Sequence, residues 1–132
     1  MSLRALVVDD ERPVVDVVCE VLEDAGIAAL GCTQAAEAYW YIRHKQPELV
    51  ILDVQMPGVN GVELLRQLRA DPHTARLPVI FVTANRHVVH RHVPNYPALG
   101  AMLLPKPFHV DELLALVAEA LAARPVAGAD RP

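Results

Sequence analysis

Leu49-Val-Ile-Leu-Asp53-Val-Gln-Met-Pro57-Gly-Val-Asn-Gly61 carries four aliphatic residues straight into a carboxylate. A short apolar run bounded by breakers, Pro47 before it and Pro57-Gly58 after it, reads as a strand buried on both faces. Asp53 then stands where the strand runs out, beside a loop that Pro57, Gly58 and Gly61 turn tightly. Ligands of open α/β sheets sit outside the carboxyl ends of the strands. Taken alone, Asp53 serves equally well as a cap for the following turn. The distinction rests on the residues around it.

Upstream, Leu3 to Val8 forms a first apolar strand ending in Asp9-Asp10-Glu11. Pro13 suits the first turn of a helix, where no backbone N–H is required. Val14, Val17, Val18, Val21, Leu22 and Ala25 follow the i, i+3, i+4 spacing of an apolar face, and Gly26 closes the helix. Ile27 to Cys32 is a weaker second strand. Thr33 is a candidate N-cap for a helix to about Lys45, which contains the aromatic run Tyr39-Trp40-Tyr41. Downstream, Asn60 to Ala70 is helical and Asp71-Pro72 stops it. Val79 to Val82 is a buried strand ending in Thr83, and Ala101 to Leu104 leads into Pro105-Lys106-Pro107. Val110 to Ala123 is the last helix. Pro94 and Pro97 forbid a regular helix between these last two strands, so the fourth helix is short or irregular. Five strand–helix alternations predict an α/β fold with a doubly wound five-stranded parallel sheet and helices on both faces.

A chain of 132 residues, 53% hydrophobic and 21% charged, has the size and composition of one folded domain. No apolar run is long enough for a membrane span, and the net charge of −4 argues against a nucleic-acid surface. Cys19 and Cys32 lack metal or redox spacing and read as reduced thiols of a cytoplasmic protein. Residues 1–123 read as the domain. Residues 124–132, rich in Ala, Pro, Gly and Arg, read as a flexible tail or the start of a linker. A larger regulator trimmed to this domain is the favoured expectation.

The polar residues at the strand ends supply the chemistry. Asp9 and Asp10 end strand one, Asp53 ends strand three, Thr83 ends strand four and Lys106 follows strand five. All are delivered to one edge of the sheet. In the order 2-1-3-4-5, strands one and three are neighbours, and their carboxylates meet at the switch point. Two such charges about 4 Å apart repel by about 4 kcal/mol near a protein surface. A cation resolves this, and a few oxygen ligands with room for water suit Mg²⁺ or Mn²⁺. A hydroxyl and an ammonium opposite the metal suit the oxygens of a phosphoryl group. The implied chemistry is phosphoryl transfer onto a carboxylate.

Asp9-Asp10, Asp53-x-x-Met56-Pro57-x-x-x-Gly61, Thr83-Ala84 and Lys106-Pro107-Phe108 together resemble the receiver domains of two-component response regulators, those of chemotaxis among them. The resemblance covers residues 3 to 123. It implies a flavodoxin-like three-layer sandwich, Asp53 as phosphoacceptor, and Thr83 and Lys106 as phosphoryl-binding groups. Asp9, Asp10, Asp53 and the backbone carbonyl of Gln55 are the implied metal ligands, and the Lys106–Pro107 peptide is expected to be cis. Such receivers usually carry an aromatic three residues before the lysine. Leu103 stands there instead.

The expected function is a phosphorylation-controlled switch, not an enzyme beyond its own phosphorylation and dephosphorylation. A sensor histidine kinase or phosphotransfer protein would supply the phosphoryl group. The fourth-helix and fifth-strand face would carry the state to an output domain or downstream protein, with a homodimer allowed. Two alternatives stand beside it. One is a receiver-fold binding module that works without phosphate, which Leu103 and the broken fourth helix favour. The other is a Mg²⁺-dependent phosphohydrolase, for which Asp9-Asp10-Glu11 lacks the Asp-x-Asp spacing. The segment Arg86 to His92 is basic and histidine-rich and reads as a solvated or partner-facing surface. A metal-binding or pH-sensing role for His87 and His90 is the lesser alternative.

Overall fold

The computed structural model of the protein describes residues 4–54 and 61–123. The strands are β1 (Ala5–Val8), β2 (Ala29–Cys32), β3 (Leu49–Leu52), β4 (Val79–Thr83) and β5 (Ala101–Pro105). The helices are α1 (Arg12–Asp24), α2 (Ala35–Lys45), α3 (Gly61–Ala70), α4 (Arg86–His92) and α5 (Val110–Ala123), with a 3-10 turn at Tyr96–Leu99. The five strands are parallel in the order β2-β1-β3-β4-β5, as the sequence reading expects.

Strand periodicity sorts the core into two halves. Leu6, Val8, Val50, Leu52, Val79 and Phe81 face the side covered by α2, α3 and α4. Ala5, Val7, Leu49, Ile51, Ile80 and Val82 face α1 and α5. Every residue of β1, β3 and β4 is buried, which explains why these strands read as unbroken apolar runs.

Two local expectations need correction. Thr33 does not cap α2; Gln34 occupies that position without a side-chain cap bond, and Thr33 Oγ1 instead accepts a long 3.5 Å bond from Arg12 Nη2. On α1 the buried residues are Val15, Val18 and Leu22, while Val17 is 59% exposed. The helix is rotated from the expected stripe, because its closely spaced valines fit more than one phase of the helical period. Trp40 is also exposed, stacked on His44 with ring centroids 4.1 Å apart. Cys19 and Cys32 are free thiols; burial, then the charges of Glu23 and Asp16, push Cys19 up to about 11.

Pro94 ends α4 after seven residues, anchored inward by Val89 and Val93. The chain regains β5 through Gly100, whose φ of +74° is open to glycine at little cost.

At the end of α3, Asp71 gathers partners from two elements. Its Oδ2 accepts from Tyr39 Oη at 2.5 Å and pairs with Arg43, both on α2. Its Oδ1 accepts the backbone N–H of His73 at 2.9 Å. The Tyr39 bond first, then the His73 N–H, hold this carboxyl well below the usual carboxylate range against the opposing effect of burial. A depressed folded-state value means that this latch contributes fully above the unfolded value of about 3.9 and is lost as pH falls below it. Asp71→Asn is therefore expected to be less stable than the native chain at pH 7 and to converge on it in acid, as read by urea unfolding from pH 7 to pH 3. A constant difference across that range would exclude Asp71 as the titrating group.

Candidate phosphoacceptor site

The ladder continues one residue past the strands and fixes the acidic edge. Asp9 N–H donates to the Cys32 carbonyl at 3.1 Å and Asp53 N–H to the Val8 carbonyl at 2.9 Å. Lys106 N–H donates to the Thr83 carbonyl at 2.8 Å. Backbone bonds thus pin the residues that carry Asp9, Asp53 and Lys106 before any side chain interacts.

The side chains converge as the strand-end pattern requires. Asp9, Asp10 and Asp53 each offer an oxygen, and these atoms lie within 4.8 Å of one another. Asp9 and Asp53 are 3% and 8% exposed, while Asp10 opens the cluster to solvent. Lys106 Nζ reaches Asp9 Oδ2 at 2.9 Å and Asp53 Oδ2 at 3.4 Å. Burial alone lowers the lysine; the Asp9 hydrogen bond and the charges of Asp53 and Asp9 outweigh it, so the ammonium is held above its ordinary value. It stays charged at neutral pH and offsets one of the three carboxylates.

Thr83 is wholly buried at the end of β4. Its Oγ1 accepts the backbone N–H of Asn85 at 3.1 Å, and α4 begins one residue later. The Lys106–Pro107 peptide is cis. Gly61, the first residue of α3, lies against the acid itself: a Cβ there would come 2.9 Å from both the Asp53 carbonyl oxygen and Val54 Cα. Gln55 lies outside the described residues. Two supports escaped the sequence reading. One is Glu11 N–H, which holds Asp9 Oδ1 at 3.0 Å, and the other is the direct Lys106–Asp9 pair. The first has no sequence signal beyond nearness to Asp9, and the second joins residues 97 positions apart.

A buried all-oxygen donor set of this kind, open on one side, fits a hard divalent cation better than Zn²⁺. The model of the "Response regulator receiver domain" family matches residues 5–118. The chain belongs to that family. Among curated relatives of this receiver, response regulator Rre1 of Synechocystis is 40% identical over 121 residues, covering 91% of this chain and 52% of the relative. The phosphate regulon transcriptional regulatory protein PhoB of Pseudomonas aeruginosa is 33% identical over 83% of this chain and 48% of its own length. The receiver thus spans about half the length of the curated relatives it matches. Among solved structures, the chemotaxis response regulator CheY4 of Vibrio cholerae superposes with a TM-score of 0.79 at 25% identity. That match covers 92% of this chain and all of CheY4.

In the receiver, Leu103 is half-buried on β5, paired with Phe81 and packed against the α2–α4 side of the core. An aliphatic side chain fills the position where the resemblance expects an aromatic.

Proposed function

We propose that this receiver is a phosphorylation-controlled switch whose acceptor is Asp53. A phosphohistidine on a sensor histidine kinase or phosphotransfer protein gives up its phosphoryl group: the P–N bond breaks and a P–O bond forms to the Asp53 carboxylate. Asp9, Asp10, Asp53 and the Gln55 backbone carbonyl hold Mg²⁺ or Mn²⁺, which neutralises charge on the phosphoryl oxygens when bound. Lys106 and the Thr83 hydroxyl bind those oxygens. The observation that carries this reading is the convergence of three carboxylates within 4.8 Å beside an ammonium that bridges two of them. The only catalysis proposed is phosphorylation and dephosphorylation of the domain itself, in the cytoplasm, within the unit of residues 1–123.

The state leaves the site through Thr83. When its hydroxyl turns to the phosphoryl group, it gives up the Asn85 N–H and loosens the start of α4. This route needs no aromatic on β5, which suits Leu103. The receiver-fold binding module that works without phosphate draws on Leu103 and the short α4; the assembled acidic site weighs against it.

Incubation with acetyl phosphate and Mg²⁺ tests the proposal. The expected result is a mass gain of one phosphoryl group that hydroxylamine removes, that EDTA prevents, and that maps to the peptide containing Asp53. No incorporation, or incorporation on another residue, would overturn it.

A further inference from the structure

The sheet has an edge at β2 and another at β5, and only one is guarded. Natural sheets blunt an edge strand with charges, proline or a bulge, because its outer backbone groups otherwise pair with another chain. The β5 edge ends in Pro105-Lys106-Pro107. The β2 edge has none of these devices: residues 25–36 hold no charged side chain and no proline, and β2 pairs with β1 in unbroken register. Ala29, Leu30 and Gly31 are only half-buried. The Ala28 and Cys32 carbonyls accept Ala5 N–H and Asp9 N–H, so alternation turns the backbone N–H and C=O groups of Ala29 and Gly31 outward.

The flanking helices carry charges in a matching order. On α1, Arg12, Asp16, Cys19 and Glu23 recur at helical spacing and form one stripe. That stripe leans towards β2: a Cβ on Gly31 would lie 3.5 Å from Cys19 Sγ and 3.8 Å from Arg12 Nη1. Arg12 reaches Thr33 past the end of β2, whereas Gly26 N–H donates to the Glu23 carbonyl in the turn that leads into the strand. Asp16 is paired with Arg12 at 3.7 Å. Among the described residues no ion pair involves Glu23. On α2, Tyr39 and Arg43 turn to Asp71 at the end of α3. Tyr41 falls on the opposite flank, with the exposed Trp40 ring edge-on to it at 5.3 Å. Glu37 and His44 extend that flank, one towards each end of the helix.

We propose that two copies of this chain pair through β2, antiparallel about a two-fold axis normal to the sheet beside Leu30, so that one sheet runs through both. Ala29 then stands opposite Gly31 of the second copy, and Gly31 opposite its Ala29, each pair exchanging both backbone bonds. The axis reverses α1 against its copy and brings Arg12 to the Glu23 end of the other helix, and symmetry repeats the contact. It likewise sets Glu37 towards His44 of the second copy, with Trp40 and Tyr41 between them; aromatic side chains are enriched at interface centres. An unrelated strand gains the backbone bonds but not this order of charges. The β2 edge is the far side of the sheet from β5, and the pairing does not depend on phosphorylation.

Sedimentation equilibrium of the unphosphorylated chain between about 20 µM and about 1 mM tests this, joined to amide hydrogen exchange. A monomer–dimer equilibrium is expected, with protection of the Ala29 and Gly31 amides rising in step with the dimer. Ala29→Pro should fold, since an edge strand tolerates proline where the N–H faces solvent, and should stay monomeric throughout. Arg12→Glu leaves the strand intact and should weaken dimerisation about tenfold or more, the scale of two ion pairs turned repulsive; adding Glu23→Arg should restore it. A chain that stays monomeric at the highest concentration, an undiminished dimer in Ala29→Pro or Arg12→Glu, or a dimer whose protection falls on α4 and β5 instead would each overturn it.

Discussion

Asp53→Asn is expected to abolish phosphoryl incorporation and, in the absence of divalent cations, to raise the stability of the domain by about 1 kcal/mol. The two effects share one cause. Asp53 is nearly buried with oxygens of Asp9 and Asp10 within 4.8 Å, and at an effective dielectric of about 20 each such repulsion is on the order of 3 kcal/mol before relaxation. Lys106 offsets part of this, but it sits closer to Asp9, at 2.9 Å, than to Asp53, at 3.4 Å. Removing the Asp53 charge leaves the better pair intact and relieves two repulsions and a buried charge. The amide cannot serve as a phosphoryl acceptor, so the nucleophile is lost outright. Urea unfolding in EDTA and in Mg²⁺ reads both halves: Mg²⁺ should stabilise the native chain more than the variant and narrow the gap between them. A variant less stable than the native chain in EDTA would show that Asp53 supports the fold and is not under electrostatic strain.

Much of this site was legible because strand ends are sharply marked. An apolar run that stops at Asp9, Asp53 or Thr83 states both the strand and the edge to which the polar residue is delivered. Parallel order then follows from strand–helix alternation. Helix faces were less legible. In α1 the valines at 14, 15, 17, 18 and 21 satisfy more than one phase of a 3.6-residue period, and packing against β1 and β2 selected Val15 over Val17. The Thr33 cap failed because a cap depends on where the helix turns inward, set here by Ala35 and Ala38 settling into the core. Around the fourth helix, Pro94 and Pro97 marked the break but not the packing, which comes from Val89, Val93 and the bond from Arg66 to the His92 carbonyl. The most consequential residue of that kind is Arg69, which carries no motif.

Replacing Arg69 with methionine should cost about 3 kcal/mol and lower the melting temperature by about 10 °C, with Arg69→Lys recovering only a minor part. From the last turn of α3 the guanidinium is turned inward. Nε donates to the Leu99 carbonyl at 2.5 Å, Nη2 to Leu77 at 2.7 Å and Nη1 to Thr74 at 3.2 Å, with a longer Nη2 bond to Gly100 at 3.4 Å. Burial lowers its pKa, yet a guanidinium remains charged at any working pH. Among the described residues no carboxylate pairs with it, and its protein partners are carbonyl dipoles. Methionine fills the volume but strands those acceptors, and an ammonium lacks the planar fork needed to serve two loops together. The carbonyls belong to the turns leading into β4 and β5, so Arg69 joins the starts of the two strands whose far ends carry Thr83 and Lys106. It also fixes the downstream end of the α4 segment at Leu99, while Thr83 holds the upstream end through Asn85. One end is therefore tied to the scaffold and the other to the proposed phosphoryl site, and a domain weakened at Arg69 should lose the fixed end first. Hydrogen exchange should accordingly rise in residues 93–101 of Arg69→Met before it rises in β1 and β3. Uniform acceleration across the sheet, or a loss below about 1 kcal/mol, would show that water substitutes for the guanidinium and that no such clamp exists.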